Sequence, residues 1–196
     1  MSSARVLDAL EERGHLRPSD LASLGIPRST LYRMAQEGAI VRASRGLYTL
    51  PGAAWPPAPL ADVAHQIPKG RICLLSALQF HGLTTRAPFE VWVAIHPKAR
   101  RTAVEWPPIR LVRFSGESLT TGVEQHEIDG VSVPIYGPAK TVADCFKYRN
   151  KIGLDVALEA LRSAWQERRV TMDQLWHYAR ICRVSRVMRP YLESIV

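Results

Sequence analysis

Between Arg28 and Gln36 the chain carries Arg28, Ser29, Thr30, Tyr32, Arg33 and Gln36, all able to hydrogen bond, around the apolar Leu31, Met34 and Ala35. At helical spacing the apolar three share one face. Ser29, Tyr32, Arg33 and Gln36 then fall on the opposite surface, with Arg28 and Thr30 near the start. Side chains of these types break no covalent bond; they reach base edges and phosphates. Arg42 and Arg45 follow in a short basic segment and would extend the same chemistry to the DNA backbone. The bland alternative is that these arginines are ordinary solvated surface and the helices a packing domain.

Bond-making chemistry has far less support. His15, His65, His81, His96, His126 and His177 show no HxxxH or HExxH spacing, and the cysteines do not join them as a zinc site requires. No GxxxxGK[ST] or GxGxxG loop is present to cradle phosphates. A metal-dependent nuclease needs an acidic cluster with a Glu-x-Lys, and that tripeptide does not occur. We therefore expect no metal, no cofactor and no enzyme activity. Among the remaining acids, Glu90 reads as strand alternation and Asp129 as turn chemistry. Asp144, with Lys140, Lys147 and Arg149, belongs either to a charged functional face or, as the better reading, to an ordinary surface ion pair. His81 before Gly82 suits a helix C-terminus better than a catalytic role.

The elements that position the first group are legible. Ser2 and Ser3 offer caps for a helix Ala4 to Glu12, with Val6, Leu7 and Leu10 on one face. Pro18 opens a second helix carrying Leu21 and Leu24, which Gly25 ends, and a third runs from Arg28 to Glu37. Gly38 stops it, and Ile40 to Leu50 reads as two strands with a Ser-Arg-Gly tip. Three helices followed by such a hairpin are the parts of a winged helix-turn-helix, a DNA-reading module.

Four prolines and a glycine between Pro51 and Pro59 exclude helix and central strand. The expected organisation is a DNA-binding domain at 1–52, a linker at 53–59 and a second domain at 60–196. In the latter, Leu60 to Ile67 and Ile72 to Phe80 read as helices. Phe89, Val91, Val93 and Ile95 alternate against Glu90, Trp92, Ala94 and His96 as a strand. A basic loop containing Lys98, Arg100 and Arg101 leads to a strand Ile109 to Phe114, and Asp129-Gly130 joins strands Glu124 to Ile128 and Val131 to Ile135. Pro138 begins a helix through Tyr148; Leu154 to Trp165 is the next, and Thr171 with Gln174 is a capping box for another. The expected class is α+β: a winged helix-turn-helix, then a small mixed sheet with segregated helices.

The net charge is +8, which favours polyanionic partners. Residues 1–52 hold 7 Lys+Arg against 5 Asp+Glu, so most of the excess lies beyond them. Either the second domain also touches DNA phosphates through Lys98, Arg100 and Arg101, or it meets another polyanion such as RNA, or the arginine content reflects a high-GC genome. The first ranks narrowly above the third. Cys73, Cys145 and Cys182 are scattered, as in a reduced protein with buried thiols. With no apolar signal segment and no run of roughly 18 apolar residues, a cytoplasmic protein without membrane contact is expected.

Specific runs carry a family likeness. Gly25-Ile-Pro-Arg-Ser-Thr-Leu-Tyr-Arg33 and Gly46-Leu-Tyr-Thr-Leu-Pro51 resemble the winged-helix signature of AbiEi-type antitoxins of type IV toxin–antitoxin systems. Ile72 to Leu83, Thr141 to Phe146 and Gly153 to Leu161 are similar to that family's C-terminal domain. Pro27 departs from the pattern, where relatives tend to offer a Ser-like cap. The resemblance implies a repressor that binds inverted repeats in its own promoter. It also implies a functional link to a nucleotidyltransferase-like toxin that need not involve direct binding. Two alternatives stand beside it: a nucleic-acid-processing enzyme with a novel C-terminal site, and a stand-alone regulator whose second domain binds a protein or small ligand.

Overall fold

Val6 and Leu10, one helical turn apart, start an apolar stripe that the first elements bury together. The computed structural model of the chain describes residues 2–14, 16, 18, 20–44, 47–51, 60–100 and 107–195. The chain forms two compact units, Met1–Pro57 and Ala58–Val196.

The first unit contains α1 (Ser2–Arg13), α2 (Asp20–Ser23), α3 (Ser29–Gln36), β1 (Val41–Ser44) and β2 (Leu47–Thr49). Ser2 and Ser3 are the first two residues of α1, inside the helix instead of capping it, because the helix starts two residues before the expected Ala4. Pro18 sits in a turn, and α2 begins at Asp20, whose carbonyl accepts a hydrogen bond from Ser23 Oγ at 2.6 Å. Gly25 and Gly38 take φ of +63° and +73° at the ends of α2 and α3, a conformation open to glycine at no steric cost. Leu21, Ile26, Leu31, Met34, Ile40 and Tyr48 complete the core begun by α1. Leu16 and Tyr48 exchange backbone hydrogen bonds at 2.9 Å, tying the segment after α1 to β2. The β1–β2 pair is antiparallel, with Arg42 opposite Tyr48. The tip, including Arg45, lies outside the described residues, as do 52–59 of the Pro-rich stretch.

The second unit is α+β. Its mixed sheet has the order β5-β4-β3-β7-β6, formed by β3 (Arg71–Ile72), β4 (Val91–Ile95), β5 (Ile109–Arg113), β6 (Val123–Ile128) and β7 (Val131–Tyr136). Pairs β3–β7 and β4–β5 are parallel, whereas β3–β4 and β6–β7 are antiparallel. Around it lie α4 (Leu60–Gln66), α5 (Leu74–Phe80), α6 (Glu117–Thr120), α7 (Pro138–Ile152), α8 (Leu154–Gln166), α9 (Met172–Ile181) and α10 (Ser185–Ser194). The hairpin turn at Asp129-Gly130 takes φ of +51° and +75°, as expected of that pair. The Thr171–Gln174 capping box is present in both directions, at 3.2 and 2.9 Å.

Two further expectations are corrected. Ile72, read as the start of a helix, belongs to β3 at the centre of the sheet, and α5 starts at Leu74. Only two residues long, β3 is too short to show a period. Immediately before it, a Cβ on Gly70 would lie 2.6 Å from Val93 Cγ1, so the chain enters the sheet by close backbone approach. The alternation read in β4 suggests one wet face, yet every residue of β4 is buried. Val91, Val93 and Ile95 pack with Leu60, Val63 and Ile67 around α4. Trp92 and Ala94 face the larger core with α5 and α7–α10. Covered on both sides, a strand is apolar throughout.

Candidate nucleic-acid interface

Helix α3 buries Leu31 and Met34 and leaves Arg28, Ser29, Tyr32, Arg33 and Gln36 exposed, so the surface predicted from spacing is assembled on one short element. Thr30 departs from the prediction. It is 7% exposed and is packed on the core side, one position before Leu31, so it is not a surface donor. Arg28 occupies the N-cap position with helical backbone and makes no side-chain cap.

Arg33 is placed by two weak contacts. Its Nη2 donates to Ser3 Oγ at 3.3 Å, and its Nε lies 3.9 Å from Glu37 Oε1, with both charged side chains more than half exposed. Exposed pairs of this kind contribute little to stability. The guanidinium is therefore steered across the start of α1 yet free to exchange these partners for a ligand. Tyr32, 54% exposed, meets the ring of buried Tyr48 edge-on at 6.2 Å between centroids. Tyr48 was missed by the sequence reading, because a tyrosine in a short strand reads as ordinary β composition. Among the described residues its hydroxyl makes no hydrogen bond of ordinary geometry, although Tyr32 comes near enough to add to the rise that burial gives the Tyr48 pKa. Arg42 is exposed on β1.

In the second unit, Lys98 and Arg100 are exposed in the loop after β4; Arg101 lies outside the described residues. The loop is fastened at its base. Arg113, from β5, donates through Nη1 to the carbonyls of His96 and Ala99 at 3.3 and 3.2 Å, and also to that of Pro97. The role of Arg113 was not visible in the sequence, since it depends on β4 and β5 lying side by side.

The reading of Asp144 as a surface ion pair is overturned. Lys140 and Asp144, at 0% and 1% side-chain exposure, form a fully buried pair with Nζ 2.5 Å from Oδ2. Cys182 Sγ donates to Oδ1 at 3.2 Å. The ammonium also stands over the faces of Tyr136 and Phe114, 4.1 and 4.9 Å from the centroids. Burial pushes the Asp144 carboxyl above the usual carboxylate range, while the Lys140 charge and the hydrogen bonds from Lys140 and Cys182 pull it back. All three cysteines are buried thiols. Burial likewise raises Cys73 and Cys145 and pushes Cys182 up to about 12, so none is a ready nucleophile.

The other chemical candidates have structural partners. Glu90, the residue before β4, accepts a hydrogen bond from Arg110 Nε of β5 at 2.6 Å. His81 is the C-cap of α5, and its Nε2 donates to the Tyr136 carbonyl at 2.8 Å. Among the described residues no group of histidine, cysteine or carboxylate side chains is arranged to hold a metal. No helix among them is long and apolar enough to cross a membrane.

With this geometry in place, comparison with known proteins decides one point. Residues 5–51 match the family described as AbiEi antitoxin, transcriptional regulator. The match runs from α1 to the end of β2, containing the whole exposed face of α3, and supports a regulator role. No curated protein matches the chain. Among solved structures, the crystal structure of the RV2827C protein from Mycobacterium tuberculosis aligns with 90% of this chain and 70% of its own. The TM-score is 0.46 and the sequence identity 15%.

Proposed function

We propose that the chain is a sequence-specific DNA-binding transcriptional repressor, the antitoxin of a type IV toxin–antitoxin system, which binds inverted repeats in its own promoter. The observation that carries this reading is the face of α3: Arg28, Ser29, Tyr32, Arg33 and Gln36 exposed together while Leu31 and Met34 anchor the helix from behind. In this reading the first unit is a winged helix-turn-helix, with α3 in the major groove and the β1–β2 hairpin as the wing. Arg28 and Arg33 discriminate, Ser29, Tyr32 and Gln36 add contacts, and Arg42 and Arg45 hold phosphates. Lys98, Arg100 and Arg101 extend the electrostatic footprint. The match over residues 5–51 supports the regulator role; the repeats, the toxin link and a cytoplasmic location belong to the proposal. So does the absence of catalysis.

The test is incubation of the full chain with its upstream DNA and with RNA, each with and without Mg²⁺. Retarded, intact DNA is the expected result. Cleaved or modified nucleic acid would replace the repressor with an enzyme.

A further inference from the structure

The second unit has a cleft of about 490 Å³ whose wall is cationic and whose floor is the Lys140-paired Asp144. Lys147 reaches it from α7, Arg180 from the last turn of α9, and Arg183 from the turn beyond. All three are exposed, and among the described residues none has an ion pair or a side-chain hydrogen bond. The lining also includes the exposed Ser115, in the segment joining β5 to α6, and the half-buried Ser118 of α6. Glu117 is the one unneutralised acid in the lining.

Three features distinguish this cleft from scattered surface charge. Both carboxylate oxygens of Asp144 are already occupied, Oδ2 by Lys140 and Oδ1 by the Cys182 thiol, so the floor offers an anion little repulsion. Arg183 has φ +58° at the end of α9, a left-handed position where glycine is unstrained and an arginine is not. The turn itself is an ordinary helix stop, closed by Arg183 N–H to the Arg180 carbonyl at 3.0 Å and Val184 N–H to that of Ala179 at 2.8 Å. Backbone geometry alone thus calls for glycine, and the chain instead holds a guanidinium at the rim. Finally, the concavity falls in the range of small-ligand pockets, roughly 300–1,000 Å³, whereas a duplex needs an open face.

We propose that the cleft bounded by Lys147, Arg180 and Arg183 binds a small ligand through a phosphate or diphosphate group, with Ser115 and Ser118 as hydroxyl donors. Guanidinium groups suit phosphate oxygens by charge and planar donor geometry. The site lies entirely within the second unit and is independent of the face of α3.

Inorganic pyrophosphate is the probe, titrated by calorimetry into the full chain at constant ionic strength. Saturable binding is expected, weakened about tenfold, near 1.4 kcal/mol, by Arg180→Ala and by Arg183→Gly and unchanged by Arg162→Ala on α8. Arg183→Gly is the folding control, because it relieves the left-handed strain; a retained or raised thermal midpoint together with lost binding separates ligand contact from misfolding. Non-saturable uptake, or Arg183→Gly binding like the parent, overturns the proposal. In a competition arm, pyrophosphate retained in the presence of a non-operator duplex supports a small-ligand site. Displacement by that duplex, with duplex binding weakened by the same variants, overturns it in favour of backbone contact.

Discussion

Tyr48, Thr30 and His81 show how single residues depart from what their types suggest. The Tyr48 hydroxyl is buried with no hydrogen bond of ordinary geometry among the described residues, so Tyr48→Phe removes a desolvated group at no packing cost. We expect a gain of about 1 kcal/mol in denaturant unfolding; a loss of that size would reveal a bond to the hydroxyl. His81 is a proton-linked position: burial, ahead of smaller effects from its neighbours, lowers its pKa from the ordinary value of 6.5. The unfolded chain then binds more protons than the fold as pH falls below 6.5, so stability present at neutral pH declines toward the lowered folded value. Thermal midpoints between pH 7 and 5 should fall more steeply in the parent than in His81→Gln, and parallel curves would exclude His81 as the cause. Residue type and spacing made the exposed face of α3 legible, because Leu31 and Met34 fix its phase. Burial of Thr30 was not legible, since a small polar residue beside the apolar stripe fits either face. Asp144 was misread for a related reason: an i,i+4 Lys–Asp pair looks like helix-surface chemistry until Tyr136 of β7, Phe114 after β5 and Cys182 at the end of α9 close over it.

At the level of elements, α7 carries an ion pair through the middle of the larger core, with Phe114, Tyr136 and Cys182 around it. Removing the ammonium leaves an uncompensated buried carboxylate. Lys140→Ala should therefore cost about 3–5 kcal/mol, whereas the double change Lys140→Met with Asp144→Leu should recover most of that loss. Equal destabilisation by the single and double variants would show that packing around the lysine stem, and not charge, dominates. Long elements were legible: Pro138, the Asp129-Gly130 pair and the Thr171 capping box each mark a boundary by local chemistry. Strand β3 was not, because its place is set by pairing with β4 and β7 and by the close approach at Gly70. The burial of both faces of β4 was hidden for the same reason. Only the position of α4 reveals that the second face is covered.

For the whole molecule, the charge of +8 is a statement about partners. If Lys98 and Arg100 touch phosphates, substituting both by alanine should reduce the magnitude of the slope of log K against log salt by about 0.9 per lost contact. An unchanged slope would confine DNA contact to the first unit. The central claim concerns α3, and fluorescence anisotropy of the full chain on its own upstream DNA and on a scrambled duplex, at one fixed salt concentration, tests it most directly. The account predicts tighter binding to the upstream DNA by about 10³-fold or more. It further predicts that Arg33→Ala loses about 1–3 kcal/mol on that DNA, with relaxed preference at one base position. Equal affinity of the parent for the two duplexes, or Arg33→Ala binding the upstream DNA like the parent, would contradict it.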